Sequence, residues 1–266
     1  MATSLGPLEM QLLAYAQNPG RSVVAAEELI AALGWSAEQE RRVVSRLARK
    51  GMIARVRPGL YLVPPRLPQG GRWSPGEFLA LSTLMEDRGG RYQISGPNTF
   101  HRYGWTEQVP NRLYVYNDRI SGDRRVGPVA MTFIEVAGDR LGDTEVVRTP
   151  EGIEMIHASK VRSLVDAVRD WSRFDSLPRA FGWIRREIEN DEDCAADLIG
   201  SAIRFGNQGT MRRIGAQLER LHVPEHLLRK LEQQIRTTSS FIPWDPSREK
   251  RGTIDRRWGV VINDGR

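Results

Sequence analysis

The 266-residue sequence predicts an α+β fold in two parts, and three observations carry that expectation. Apolar residues recur at helical spacing through the first fifty positions and again after Ser159, while short strand-like runs fill the middle of the chain. A stiff break, Pro64, Pro65, Pro68, Gly70 and Gly71, separates the first seventy residues from the rest. Positive charge gathers before that break: residues 1–72 hold ten cations against five anions, most of the net +6. The boundaries are therefore placed at 1–68 and 73–266, the second part being mixed α/β over about 73–158 and helical over about 159–266.

The first segment reads as three helices and a hairpin. Leu8, Leu12, Leu13 and Ala16 form one helical stripe after Pro7, and Asn18-Pro19-Gly20 stops it. A second helix is expected from Val24 to Leu33, closed by Gly34. The third opens at Ser36, whose hydroxyl can cap backbone N–H groups while Gln39 reaches back, and runs from Ala37 to Lys50 with Gly51 as its stop. Ile53, Val56, Leu60, Leu62 and Val63 give two strand pieces around the tight turn Arg57-Pro58-Gly59. In the second part, Ser74-Pro75-Gly76-Glu77 reads as a helix start with proline at the first helical position. Strands are expected at 92–95, 113–117, 129–136, 145–148 and 152–157, with a short helix near 97–103. Helices follow from Ser159, then over 180–188, 195–205, 211–221 (Thr210 as its cap) and 225–235. The tail from Ser239 is irregular until a last strand over 258–263.

Composition narrows the chemistry. The single cysteine, Cys194, excludes a disulfide framework, and with no clustered histidines an ordinary structural zinc site is not expected. His222 and His226 are four apart, but Pro224 lies between them and the glutamate of a zincin helix is missing. There is no G-x-x-x-x-G-K-[ST] phosphate loop, Ser95-Gly96 near His101 lacks the G-x-S-x-G elbow, and Glu135 has no nearby Glu-x-Lys to complete a nuclease site. No catalytic residue, metal or cofactor is therefore assigned, and the reading is non-enzymatic. The tryptophans, Trp73, Trp105, Trp171, Trp183, Trp244 and Trp258 among them, are read as packing anchors. With no signal-peptide pattern and no apolar run near 18 residues, the expected location is the cytoplasm, with no membrane partner.

The third helix carries the informative pattern. Val43, Val44 and Leu47 make its core stripe. Arg42, Ser45, Arg46 and Arg49, at i, i+3, i+4 and i+7 with Arg41 at the edge, make the opposite face, which suits entry into a DNA major groove. Arg55 and Arg57 in the hairpin complete a winged helix-turn-helix. Phosphate docking falls to Arg41, Lys50, Arg55 and Arg57, and base reading to Arg42, Ser45, Arg46 and Arg49. The bland alternative is a solvated face with Glu38 and Glu40 pairing to Arg42 or Arg41. A second anionic contact is read at Arg204, Arg212 and Arg213, around the break between two helices.

The run LARKGMIARVRPGLY over residues 47–61 resembles the end of the winged-helix domain of AbiEi-type antitoxins of type IV toxin–antitoxin (abortive infection) systems. YQISGPNTFHRYG over 92–104, the strand over 113–116 and RRWGVVIN over 256–263 are similar to further segments of that family, in its order. The resemblance implies a repressor that autoregulates its operon by binding inverted repeats in double-stranded DNA. It also implies an antitoxin that counteracts a cognate nucleotidyltransferase-like toxin, with or without direct contact, its antitoxin function lying in the C-terminal domain. By position, the third-helix face and the wing are the implied DNA contacts. The rival from another class is a winged-helix module that targets a hydrolase or nuclease domain to DNA, and a ligand-sensing regulator is a third.

Overall fold

The computed structural model describes residues 5–17, 20–66, 72–150 and 152–264. Asn18, Pro19, Pro68, Gly70 and Gly71, used above as helix stop and linker, lie outside the described residues. The architecture is α+β, and the chain divides into two compact units. The first comprises Met1–Tyr92, Asn111–Gly138 and Arg148–Met155; the second comprises Gln93–Pro110, Asp139–Val147 and Ile156–Arg266.

The first unit opens with a winged helix: α1 (Pro7–Gln17), β1 (Val23–Ala25), α2 (Ala26–Leu33), α3 (Ala37–Arg49), β2 (Ala54–Arg57) and β3 (Leu60–Leu62). Its core joins Leu12, Leu13, Leu29, Trp35, Val43, Val44, Leu47 and Tyr61. The second helix starts later than its sequence pattern suggests. Val23–Ala25 is a strand, antiparallel to β3 through Val23↔Leu62, Val24↔Tyr61 and Ala25↔Leu60. The paired β-branched Val23 and Val24 fit a pleated surface better than a first helical turn, and only Ala26 onward is helix. The small sheet therefore has the order β1-β3-β2. Gly34 ends α2 in the left-handed region (φ 66°), donating its N–H to the Ile30 carbonyl, a conformation glycine adopts without steric cost.

The same unit continues with α4 (Glu77–Arg88). Ser74 does not cap it: its hydroxyl bonds the Pro75 carbonyl, Gly76 is the N-cap residue, and Pro75 lies before the first turn. After β4 (Tyr92–Ile94) and α5 (Pro97–Arg102), which from Gln93 on belong to the second unit, the first unit resumes with β5 (Leu113–Asn117), β6 (Gly122–Val126) and β7 (Val129–Glu135). β7 lies between a parallel β5 and an antiparallel β6. β6, GDRRV, carries no apolar alternation because four of its five residues are exposed.

In the second unit, β8 (Thr144–Arg148) flanks β9 (Glu154–Ala158), and Ile94 of β4 pairs in parallel with His157 of β9. The helices α6 (Lys160–Arg169), α7 (Trp171–Phe174), α8 (Arg179–Asn190), α9 (Cys194–Phe205), α10 (Gln208–Arg220) and α11 (Glu225–Glu232) follow. α10 is capped by Asn207, whose side chain accepts from the Thr210 N–H, so Thr210 is a recipient of the cap. The tail is more ordered than its sequence suggests: β10 (Ile242–Pro243), β11 (Thr253–Asp255) and β12 (Val260–Ile262) form a sheet in the order β10-β12-β11. Trp258 is fully buried and donates to Glu219 at 2.7 Å, and Trp244 stacks on Phe181 at 3.9 Å between centroids. Tryptophan is a core anchor at these two positions, as at Trp105 and Trp183, while Trp73 and Trp171 are half-buried.

Candidate nucleic-acid interface

The third helix is fixed at both ends by local chemistry. Gln39 N–H donates to Ser36 Oγ at 3.2 Å and Ser36 N–H to Gln39 Oε1 at 2.9 Å, a reciprocal capping box that satisfies two otherwise unpaired donors. At the other end Lys50 is the C-cap residue and Gly51 turns away with φ 70°. Val43, Val44 and Leu47 are buried, while Arg41, Arg42, Ser45, Arg46 and Arg49 are exposed. One face of α3 is thus cationic over two turns.

Two acids could have neutralised that face, and the structure disposes of them differently. Glu38 pairs with Arg42 at 2.6 Å, an exposed i,i+4 pair of small net worth. Glu40 is only 3% exposed and is turned beneath the hairpin toward Tyr61, whose phenol is pushed up by burial and then by the Glu40 charge. The groove between α3 and the hairpin, about 580 Å³, is bordered by Arg41, Ser45, Arg55, Pro58 and Gly59, and the buried Glu40 and Tyr61 also contribute to its lining. Arg55, exposed on β2, therefore faces the same space as the α3 side chains.

The other two cations assigned to phosphates have intramolecular partners. Arg57 grips Asp87 of α4 with both carboxylate oxygens, Nε at 2.7 and 2.8 Å and Nη2 at 2.6 Å, and also donates to the Pro58 carbonyl. The arginine holds the Asp87 carboxyl below its ordinary range. Lys50 bonds Glu9 of α1 at 2.7 Å. Glu9 is nearly inaccessible, and although burial alone would raise its pKa, Lys50 and the Gly6 N–H bring it below normal. The pairs tie the end of α3 to α1 and the hairpin to α4. Nothing in the sequence pointed to Asp87, thirty residues from Arg57, or to Glu9, forty-one from Lys50.

The arginines at the α9–α10 break do not gather. Arg204 is exposed and pairs with Asp143 at 2.7 Å. Arg212 is 5% exposed and donates to the carbonyls of Trp258 (2.8 Å), Ser240 (2.6 Å) and Gly259. Arg213 is 8% exposed and donates to the Pro243 carbonyl at 3.1 Å; burial, followed by the Arg212 charge, pulls its pKa down to about 10. Arg212 and Arg213 are turned inward and hold the tail by its backbone carbonyls, those of Trp258, Ser240, Gly259 and Pro243. Among the described residues no three His, Cys, Asp or Glu side chains come together as a metal site, and no helix is long and apolar enough to cross a membrane.

Three helices, a capped and cationic third helix and a hairpin wing define the N-terminal segment as a winged helix-turn-helix. Residues 11–64 match the model of the family described as "Transcriptional regulator, AbiEi antitoxin". No curated protein matches the sequence. The crystal structure of the RV2827C protein from Mycobacterium tuberculosis shares the fold, with a TM-score of 0.59 at 13% identity, over 97% of this chain and 92% of that one.

Proposed function

We propose that the protein is a DNA-binding transcriptional repressor that autoregulates its own operon at inverted repeats. We further propose that it is the antitoxin to a nucleotidyltransferase-like toxin, acting in the cytoplasm and without catalysis. The observation that carries the DNA reading is the α3 face: Arg41, Arg42, Ser45, Arg46 and Arg49 exposed together, with Glu40 withdrawn beneath the hairpin. The match of residues 11–64 to a regulator family supports it independently. In the mechanism, Arg42, Ser45, Arg46 and Arg49 read base edges, Arg41 and Arg55 dock on phosphates, and Lys50 and Arg57 hold the helix end and the wing in place. The antitoxin role rests on the family alone, and its residues are unassigned.

The test compares Arg46→Ala with Arg55→Ala on operator and random duplexes. Arg46→Ala should cost about 1–3 kcal/mol on the operator and much less on random DNA. Arg55→Ala should weaken both equally and flatten the salt dependence. Equal losses on both duplexes for both variants would contradict the division of roles. Rescue of growth on co-expression with the neighbouring gene's product tests the antitoxin role, and unrelieved toxicity would count against it.

A further inference from the structure

A cleft of about 420 Å³ lies at the C-terminal end of α3, and Arg49, Lys50, Arg72, Trp73 and Ser74 line it. None of its lining residues is acidic. The backbone sets it: Trp73 N–H donates to the Gly51 carbonyl at 2.7 Å, which seats residues 72–74 against the helix end. The Arg72 stem then lies over Gly51, its Cγ 3.7 Å from where a β-carbon would stand. Lys50 is engaged with Glu9, so the charge on offer is that of two exposed guanidinium groups, Arg49 and Arg72, beside an indole and a hydroxyl. Guanidinium forks match phosphate oxygens in two-point geometry, and an indole suits the apolar edge of a sugar.

We propose that this cleft is a second phosphodiester site, occupied by the backbone of the duplex that α3 engages. The inference rests on the DNA-binding reading above and deepens it. Arg49 belongs both to the base-reading face and to the cleft. Arg42 and Arg49 are separated by about 10 Å along the helix, at roughly 1.5 Å per residue. A major groove is about 12 Å wide, so a helix reading bases at one end brings its other end to the phosphate wall. The helix end itself carries partial negative charge and repels an anion, so binding depends on the two arginines, which makes the site removable by single substitutions.

The test uses the full chain, with anisotropy titrations of operator and random duplexes between 50 and 200 mM salt. Arg72→Ala should reduce the slope of log K against log salt by about 0.9, one phosphate's share, and weaken both duplexes alike. Arg251→Ala, an exposed arginine of the tail, should leave the slope unchanged. If Arg72→Ala matches wild type on both duplexes while Arg46→Ala weakens the operator, the site falls and the DNA reading stands. If wild type shows no salt-dependent binding, the DNA reading falls and the site with it. Titration with millimolar AMP separates the sources of phosphate. AMP binding lost in Arg72→Ala, with duplex binding intact, would place a free nucleotide in the cleft and overturn the assignment to the duplex.

Discussion

Replacing Asp87 by asparagine should make the protein bind DNA more tightly, because the structure spends Arg57 on that carboxylate. Of the seven cations between Arg41 and Arg57, Lys50 and Arg57 have buried or half-buried carboxylate partners within 2.7 Å, which leaves Arg41, Arg42, Arg46, Arg49 and Arg55. Asp87→Asn keeps the side-chain shape and removes the charge, so Arg57 becomes available at the tip of the wing. One added phosphate contact steepens the slope of log K against log salt by about 0.9. Between 50 and 200 mM salt, the advantage of the variant over wild type should therefore shrink by about 3.5-fold, which is four raised to that power. The assay is a salt series of anisotropy titrations on random duplex, where base reading does not interfere. Arg57→Ala/Asp87→Asn isolates the pair: if Asp87 acts through Arg57, its substitution has no effect once Arg57 is gone. Parallel salt slopes for wild type and Asp87→Asn, or an unchanged Asp87→Asn effect in the Arg57→Ala background, would refute the reasoning.

Two further predictions concern the second unit. A β-carbon at Gly215 of α10 would stand 2.1 Å from the ring of fully buried Trp258, so Gly215→Ala must displace the indole. The expected destabilisation in urea titration is a few kcal/mol, bounded by the roughly 3–5 kcal/mol of losing a buried tryptophan; a change under about 0.5 kcal/mol would show that the tail is not seated there. Burial, and after it the Arg102 charge, pulls the His157 pKa down to about 4, so the folded protein keeps this ring neutral while the unfolded chain protonates near 6.5. The unfolded state then binds the extra proton between those values. Stability should fall as pH drops from about 6.5 toward 4, with a slope of up to about 1.4 kcal/mol per pH unit from this group. His157→Gln should remove that component of the pH profile, and an identical profile would contradict it.

What the sequence made legible is what is encoded locally. The Ser36 to Gln39 capping box, the Gly34 stop and the turn at Arg57-Pro58-Gly59 each depend on residues within four positions, and each takes the expected form. The strands β1, β10 and β11 were missed because two or three residues give no period, and β6 because its edge position leaves it charged. The site was legible as a pattern of exposed charge, but not in how that charge is partnered. Arg57 with Asp87, Lys50 with Glu9, and the inward-turned Arg212 and Arg213 are all settled by contacts between distant segments. Two segments quoted for the family resemblance prove to carry structural work: Gly96 sits at φ 63° against Phe174, and Trp258 and Asn263 pin the tail, Asn263 accepting from the Asp245 N–H at 2.8 Å.

The central claim is that the α3 face reads the operator of this protein's own gene. It is tested most directly by a footprint on the DNA immediately upstream of the reading frame, at physiological salt. The account predicts protection of an inverted repeat that Arg46→Ala abolishes; protection no stronger than on random DNA would contradict it.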